Sequence, residues 1–173
     1  MTNTPKGNRE VIADNSNFFR KLYNQYKDLL FMYIQGIVGT GSIAEEILHD
    51  VFVSLIKDEG VFERVGNWRP YLYKTARNHA LRAYQRQRVE SKKLEELRQC
   101  RLLAGRDANS EALSTELETC LYQLPVEQRE IVLLHVFQDM QLSEIARLTG
   151  LPLGTVSSRY RYGLEKLRGW VKL

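Results

Sequence analysis

LSEIARLTGLPLGTVSSRYRYGLEKLRGW, residues Leu142 to Trp170, reads as helix, tight turn, helix. LSEIARL has helical spacing, Thr149-Gly150 breaks it, and a second amphipathic run extends from about Leu153 to Trp170. Two short helices joined by a glycine turn form the arrangement that seats its second helix in a DNA major groove. On a 100° wheel Val156, Tyr160, Leu164 and Leu167 fall together on one face, as a core stripe would, and Thr155, Ser158, Arg161, Tyr162 and Glu165 fall opposite. Arg161 has the fork geometry to read guanine, Ser158 and Thr155 can bond base edges or phosphates, and Arg159 and Lys166 flank them as backbone contacts. From Gly154 to Leu173 there are five bases and one acid. A basic terminal helix packed in a bundle is the competing explanation, and the preceding turn weighs against it.

Upstream, Leu113, Leu117, Leu121 and Leu124 recur at helical spacing, and Pro125 opens another helix, VEQREIVLLHVF, with Ile131, Val132, Leu134 and Phe137 as its expected core residues. Before them KKLEELRQCRLLAGRDANSE starts helical and breaks between Gly105 and Ser110, where glycine, aspartate, asparagine and serine cluster. The expected organisation is all-α: a flexible leader over 1–15, a helical unit over 16–93, a linker over 94–112, and a helix-turn-helix unit over 113–173.

The first unit contains NWRPYLYKTARNHALRAYQRQRVESKK, Asn67 to Lys93, in which eight bases face one acid, Glu90, in a chain whose net charge is +4. Trp68, Tyr71, Tyr73 and Tyr84 are interleaved with those bases. Cations that track phosphates beside rings that stack on bases are what a groove for unpaired nucleic acid needs. Leu72, Ala76, Ala80 and Ala83 form a narrow small-residue seam on the same helix, so a neighbour can pack close while the cations fan outward. Pro70 suits its first turn.

Ahead of it, Ser16 or Asn17 can cap a helix carrying Phe18, Leu22, Tyr26, Leu29, Tyr33 and Ile37, which Gly39 and Gly41 end. Ser42-Ile-Ala-Glu45 has the form of a capping box for a second helix, apolar at Ile43, Ile47, Leu48, Val51 and Leu55 and acidic at Glu45, Glu46 and Asp50. Glu59 to Gly66 reads as a loop. Glu46 and His49 are spaced like half of a di-iron site, but His79 and His135 have Ala76 and Val132 at the matching position, so no metal and no other cofactor is expected.

Composition narrows the classes further. A 43% hydrophobic chain of 173 residues has enough apolar material for a real core. It holds no apolar run of about 18 residues and no signal-peptide centre in its first residues, which implies a cytoplasmic protein without membrane insertion. Cys100 and Cys120 lack metal or redox spacing and are expected to be reduced. The two basic segments sit on an otherwise acidic body, which suggests two contacts with one polyanion.

Asn67-Trp-Arg-Pro-Tyr-Leu-Tyr-Lys-Thr-Ala-Arg-Asn78 resembles the region-two signature helix of the extracytoplasmic-function subfamily of bacterial RNA polymerase sigma factors. LPVEQREIVLL (Leu124 to Leu134) and SEIARLTGLPLGTVSSR (Ser143 to Arg159) resemble that subfamily's region four. The resemblance implies a non-catalytic factor that binds core RNA polymerase, opens the minus-ten element with region two and docks region four on the minus-thirty-five element. It implies minus-ten contacts at Asn67, Trp68, Tyr71, Lys74, Arg77, Asn78 and Arg82, and minus-thirty-five contacts at Thr155, Ser158, Arg159, Arg161, Tyr162 and Lys166. It places Glu45, Glu46, His49 and Asp50 against the clamp coiled coil of the largest polymerase subunit and region four against the flap, and it implies restraint by an anti-sigma protein. Ile43 and His49 stand where the family often has Asp and Gln, Arg82 where Asp is common, and Asp139 at a turn position where glycine is frequent. A two-domain helix-turn-helix regulator that needs no polymerase is the alternative; it leaves the acidic stripe and the aromatic-basic helix without partners.

Overall fold

The computed structural model describes residues 6–58, 60–99 and 116–170, with side chains described over 17–58, 60–91 and 119–170. Every regular element among them is helical: α1 (Lys6–Val38), α2 (Gly41–Lys57), α3 (Val61–Arg64), α4 (Trp68–Gln99), α5 (Glu116–Gln123), α6 (Val126–Val132), α7 (Leu142–Thr149) and α8 (Leu153–Trp170), with a π-helical turn over Leu133–Phe137 continuing α6. Helices α1, α2 and α4 form a bundle around Leu30, Ile34, Ile37, Ala44, Val51, Leu55, Leu72, Ala76 and Ala80, all fully buried. The expected alanine seam of α4 is therefore its inner face, with Ala83 half-buried at its end. Helices α5 to α8 form the second unit, in which Cys120, Leu121, Leu124, Val132 and Leu167 make a core of their own.

Backbone chemistry sets the joints. Gly39 closes α1 at φ 82°, where a side chain would be strained, and donates its N–H to the Gln35 carbonyl at 2.8 Å. Gly150, at φ 73°, ends α7 in the same way, and the Pro152 carbonyl then accepts the first N–H groups of α8. Asp139 takes φ 49°, left-handed backbone that its short polar side chain tolerates better than most, at the turn position singled out in the sequence.

Several expectations are corrected. Helix α1 starts at Lys6, not at a cap on Ser16 or Asn17, so the supposed leader is helical from that point. No capping box forms at Ser42: α2 begins at Gly41, and the Thr40 carbonyl accepts from the Ala44 N–H at 3.1 Å. Its counterpart lies at α7, where the Glu144 carboxylate accepts from the Gln141 N–H at 2.8 Å. The loop after α2 contains the turn α3, anchored by buried Val61 and closed by an Arg64–Asp58 ion pair. Phe137 is exposed, because the π turn adds a residue to the repeat and rotates the ring off the face that Ile131, Val132 and Leu134 bury. Helix α4 runs on to Gln99, past the expected unit boundary at 93; Cys100 and most of the expected linker lie outside the described residues.

The two units pack against each other. A single apolar cluster joins Tyr33, Ile37, Leu72 and Tyr73 to Leu133, Leu134, Met140, Ile145 and Leu148. Leu133 seats over Gly36, where an added Cβ would lie 2.6 Å from a leucine methyl carbon.

Candidate nucleic-acid interface

A 3.6-residue repeat divides α4 into three faces. Leu72, Ala76 and Ala80 face the bundle. Tyr71, Lys74, Asn78 and Arg82 fall along a second stripe, in which Lys74, Asn78 and Arg82 are exposed and Tyr71 is half-buried. None of the three is consumed by an ion pair: among the described residues the ion pairs are Arg64–Asp58 and Arg77–Glu130. This stripe offers cations, an amide and a ring edge at helical spacing, which suits a flexible strand laid along the helix.

The third face, Arg69, Tyr73, Arg77 and Tyr84, is turned to the second unit, which sequence spacing did not reveal. Arg77 donates to both carboxylate oxygens of Glu130, Nε to Oε1 at 2.6 Å and Nη2 to Oε2 at 3.3 Å, while the Tyr33 hydroxyl donates to Oε1 at 3.0 Å. Tyr73, expected among the stacking rings, is buried and donates its hydroxyl to the Gln138 side-chain oxygen; Arg69 donates to the Gln138 carbonyl. Burial, then the Glu130 carboxylate, drives the Tyr33 hydroxyl well above its ordinary pKa, and burial pushes Tyr73 up to about 12. Both tyrosines are therefore neutral donors at physiological pH. Tyr84 lies under the Arg129 guanidinium, 5.6 Å from the ring centroid, and Arg129 also covers Tyr122 at 5.4 Å. Burial lowers the Arg129 pKa, and those two phenol rings oppose the shift.

Trp68 and Tyr71 begin α4 beside an aromatic cluster. Trp68 packs at 5.3 Å from Phe18, 5.6 Å from Phe62 and 6.1 Å from Tyr71, centroid to centroid. Phe62 belongs to α3, so the short helix hidden in the expected loop fixes the tryptophan, and Asn67 stands exposed just ahead of it. A cavity of about 510 Å³ opens beside them, lined by Asn67, Arg69, Tyr71 and Lys74 from one unit and Glu144 and Arg147 from α7.

Helix α8 is held by buried Val156 and Leu167 and by Gly163, where an added Cβ would stand 3.1 Å from Val132. Gly163 is thus a close-packing residue that the wheel did not flag. Arg161, Tyr162, Glu165 and Lys166 are exposed, and Thr155, Ser158 and Arg159 are half-buried, so all the predicted groove residues reach one open side. The Arg161 guanidinium rests 5.0 Å from the Tyr162 ring centroid. Ser158 donates its hydroxyl to the Thr155 carbonyl at 3.0 Å, which leaves its oxygen lone pairs to accept from a base amine.

On α2, Glu45, Glu46, His49 and Asp50 are exposed over buried Ile47, Val51 and Leu55. Glu46 and Asp50 form one bank of a groove of about 300 Å³ whose other bank is His79, Arg82 and Arg86 of α4. Among the described residues no cluster of three His, Cys, Asp or Glu side chains is placed to hold a metal, and no helix is long and apolar enough to cross a membrane.

Family models meet the chain twice: the sigma-70 region 2 model matches residues 22–90 and the sigma-70 region 4 model matches residues 114–167. The RNA polymerase sigma factor CarQ of Myxococcus xanthus is 29% identical over 151 residues, 87% of each chain. The extracytoplasmic-function RNA polymerase sigma factor SigX of Bacillus subtilis is 22% identical over 163 residues, 90% of this chain and 84% of its own. Among solved structures, the sigma factor RpoE of Bartonella quintana, in complex with the anti-sigma factor NepR, superposes with a TM-score of 0.66 at 18% identity, over 88% of this chain and 95% of its own. CnrH in complex with the cytosolic domain of CnrY gives 0.65 at 16% identity, over 93% and 92%.

Proposed function

The chain belongs to the extracytoplasmic-function sigma factors of the sigma-70 family and directs promoter-specific transcription initiation, and we propose that it divides this work between the exposed stripe of α4 and the open face of α8. The first unit, built on α1, α2 and α4, acts on the minus-ten element. Lys74 and Arg82 hold strand phosphates, Asn78 and Asn67 bond base edges, and Trp68 and Tyr71 offer ring faces where the duplex separates, with Arg77 joining them when its carboxylate partner is released. Flipping a base out of the stack costs a few kcal/mol, and stacking on an aromatic ring returns about 1 to 3 per base, so opening requires no nucleotide hydrolysis by the factor.

The second unit, 113–173, lays α8 in the major groove of the minus-thirty-five element. Arg161 reads a base, Thr155, Ser158 and Tyr162 contact edges or backbone, and Arg159 and Lys166 hold phosphates. The segment that follows α4 links the two. Glu45, Glu46, His49 and Asp50 present an acidic surface to the clamp coiled coil of the largest polymerase subunit, the second unit meets the polymerase flap, and an anti-sigma protein restrains the factor in the cytoplasm. The factor has no catalytic chemistry of its own.

The observation that supports this most is the unpaired row Lys74, Asn78 and Arg82 beside the Trp68 cluster, a surface a duplex-only regulator would not need. In-vitro transcription over a library of promoter fragments tests it. Core enzyme plus this protein should start RNA at discrete sites that core enzyme alone ignores; transcripts identical with and without the protein would refute the proposal.

A further inference from the structure

The chain leaves the charge around one cavity unbalanced. Where α4 packs on α7, the cavity of about 510 Å³ is lined by three cations, Arg69, Lys74 and Arg147, against one carboxylate, Glu144, an excess of two positive charges. That carboxylate already accepts from the Gln141 N–H at 2.8 Å and forms an ion pair with none of the three. Arg69 donates to the Gln138 carbonyl, a neutral acceptor, so its charge stays uncompensated. Lys74 and Arg147 are exposed and take no part in the ion pairs formed among the described residues. The groove between α2 and α4 differs: Arg82 and Arg86 there stand beside Glu46, Asp50 and Glu90, and no positive excess draws an anion to it.

The rest of the lining is richer than a bare anion site needs. Buried Met140 and Leu148 give it apolar surface, Tyr71 adds a half-buried ring, and Asn67 adds an exposed amide that can both donate and accept. Its size lies within the range of about 300 to 1,000 Å³ usual for small-molecule sites, which combine apolar walls with a few polar groups that fix orientation. Cations, a ring and an amide together select a ligand with a phosphate at one end and a flat, hydrogen-bonding ring at the other. A phosphate monoester carries about −1.5 to −2 near pH 7, which matches the excess. A triphosphate carries more charge and travels with magnesium, for which the cavity offers only the carboxylate already engaged by Gln141.

We propose that this cavity binds a free nucleoside monophosphate. Lys74 and Arg147 take the phosphate, the guanidinium with two parallel N–H donors and the ammonium as a point charge. The base packs on Tyr71 and the apolar surface of Met140 and Leu148, and Asn67 bonds its edge. The site shares Asn67, Tyr71 and Lys74 with the strand surface of α4, but Arg147 and Leu148 belong to the unit assigned to the upstream duplex. A free nucleotide, unlike one within the minus-ten strand, can therefore meet both walls, and its binding requires neither polymerase nor promoter.

Isothermal titration calorimetry of the full chain at physiological ionic strength tests this. The probes are the common ribonucleoside monophosphates, the matching nucleosides, inorganic phosphate and a mixed-sequence single-stranded DNA oligonucleotide. At least one monophosphate should bind with a stoichiometry of one per chain, about 10-fold or more tighter than its nucleoside or phosphate alone. Arg147→Gln and Lys74→Gln should each weaken it by about 10-fold or more, the loss of one charge-assisted hydrogen bond. Both side chains are exposed and outside the ion pairs, so the variants should keep the wild-type urea midpoint. Oligonucleotide affinity unchanged by Arg147→Gln, with monophosphate affinity lost, supports a site distinct from the strand path. Wild-type protein that binds no monophosphate, phosphate that binds as tightly as the monophosphates, or variants that bind them as wild type does would each overturn the proposal. So would an oligonucleotide that depends on Arg147 while the monophosphates do not bind, since the cavity would then belong to the strand.

Discussion

Trp68→Ala separates the structural share of this ring from its share in strand opening. Complete truncation of a buried tryptophan costs about 3 to 5 kcal/mol, and Trp68 is half-buried, so the packing loss should be about 2 kcal/mol. Its ring contacts, tilted with Phe18 and Phe62 and edge-on with Tyr71, are each worth about 0.5 to 1.5 kcal/mol at full strength and lie within that figure. Trp68→Phe keeps a ring and part of the packing and should cost about 1 kcal/mol or less. Urea unfolding measures the stability term. Fluorescence of 2-aminopurine placed in the minus-ten element, in the presence of core enzyme, reports opening, and a gel shift at low temperature reports the closed complex. With stability allowed for, Trp68→Ala should lower opening by about 10-fold, corresponding to the 1 to 3 kcal/mol of one stacked base, and leave the closed complex within about twofold. An opening defect no larger than the closed-complex defect would show that the ring only packs, and a stability cost near zero would show that the cluster does not hold it.

Arg161→Ala should cost about 1 to 3 kcal/mol at one base pair of the upstream element and relax the preference there, whereas Lys166→Ala should weaken all sequences alike; selection from a randomised upstream element reads both, and an unchanged profile for Arg161→Ala removes it as a reader. Glu46→Lys/Asp50→Lys should abolish capture of core polymerase at unchanged helicity, and retention in a pull-down would move that interface elsewhere. Tyr33 and Tyr73 have raised pKa values in the folded chain, so their contribution is intact below the ordinary tyrosine pKa of about 10 and is lost as pH climbs toward about 12 for Tyr73. Urea midpoints should fall over that window, and Tyr73→Phe should flatten the fall; an equally steep decline in the variant would contradict the assignment.

The helix-turn-helix was legible because its punctuation is chemical: Gly150 supplies a left-handed residue, and Val156 and Leu167 repeat at the period of a buried stripe. The alanine seam of α4 was legible for the same reason. What sequence could not show is that α4 has two polar faces with different partners. Arg77 and Lys74 look alike along the chain, yet one meets a carboxylate 53 residues away and the other meets solvent. Tyr73 reads as a stacking ring until Gln138 is brought to its hydroxyl. The π turn has no periodic signature of its own, since one added residue shifts the phase only after Leu133, and so Phe137 looked like core. The start of α2 was hidden by the better-looking Ser42-x-x-Glu45: the N-cap is Thr40, two residues before the expected one.

A photo-cross-linking amino acid placed at Asn78 or at Arg161, in factor loaded on core polymerase and promoter, tests most directly whether one helix grips a parted strand while the other lies on duplex. Asn78 should label the minus-ten strand only at temperatures that open the promoter, and Arg161 should label the upstream duplex at every temperature. Labelling from Asn78 that is as strong on closed duplex as on the opened site would contradict the account.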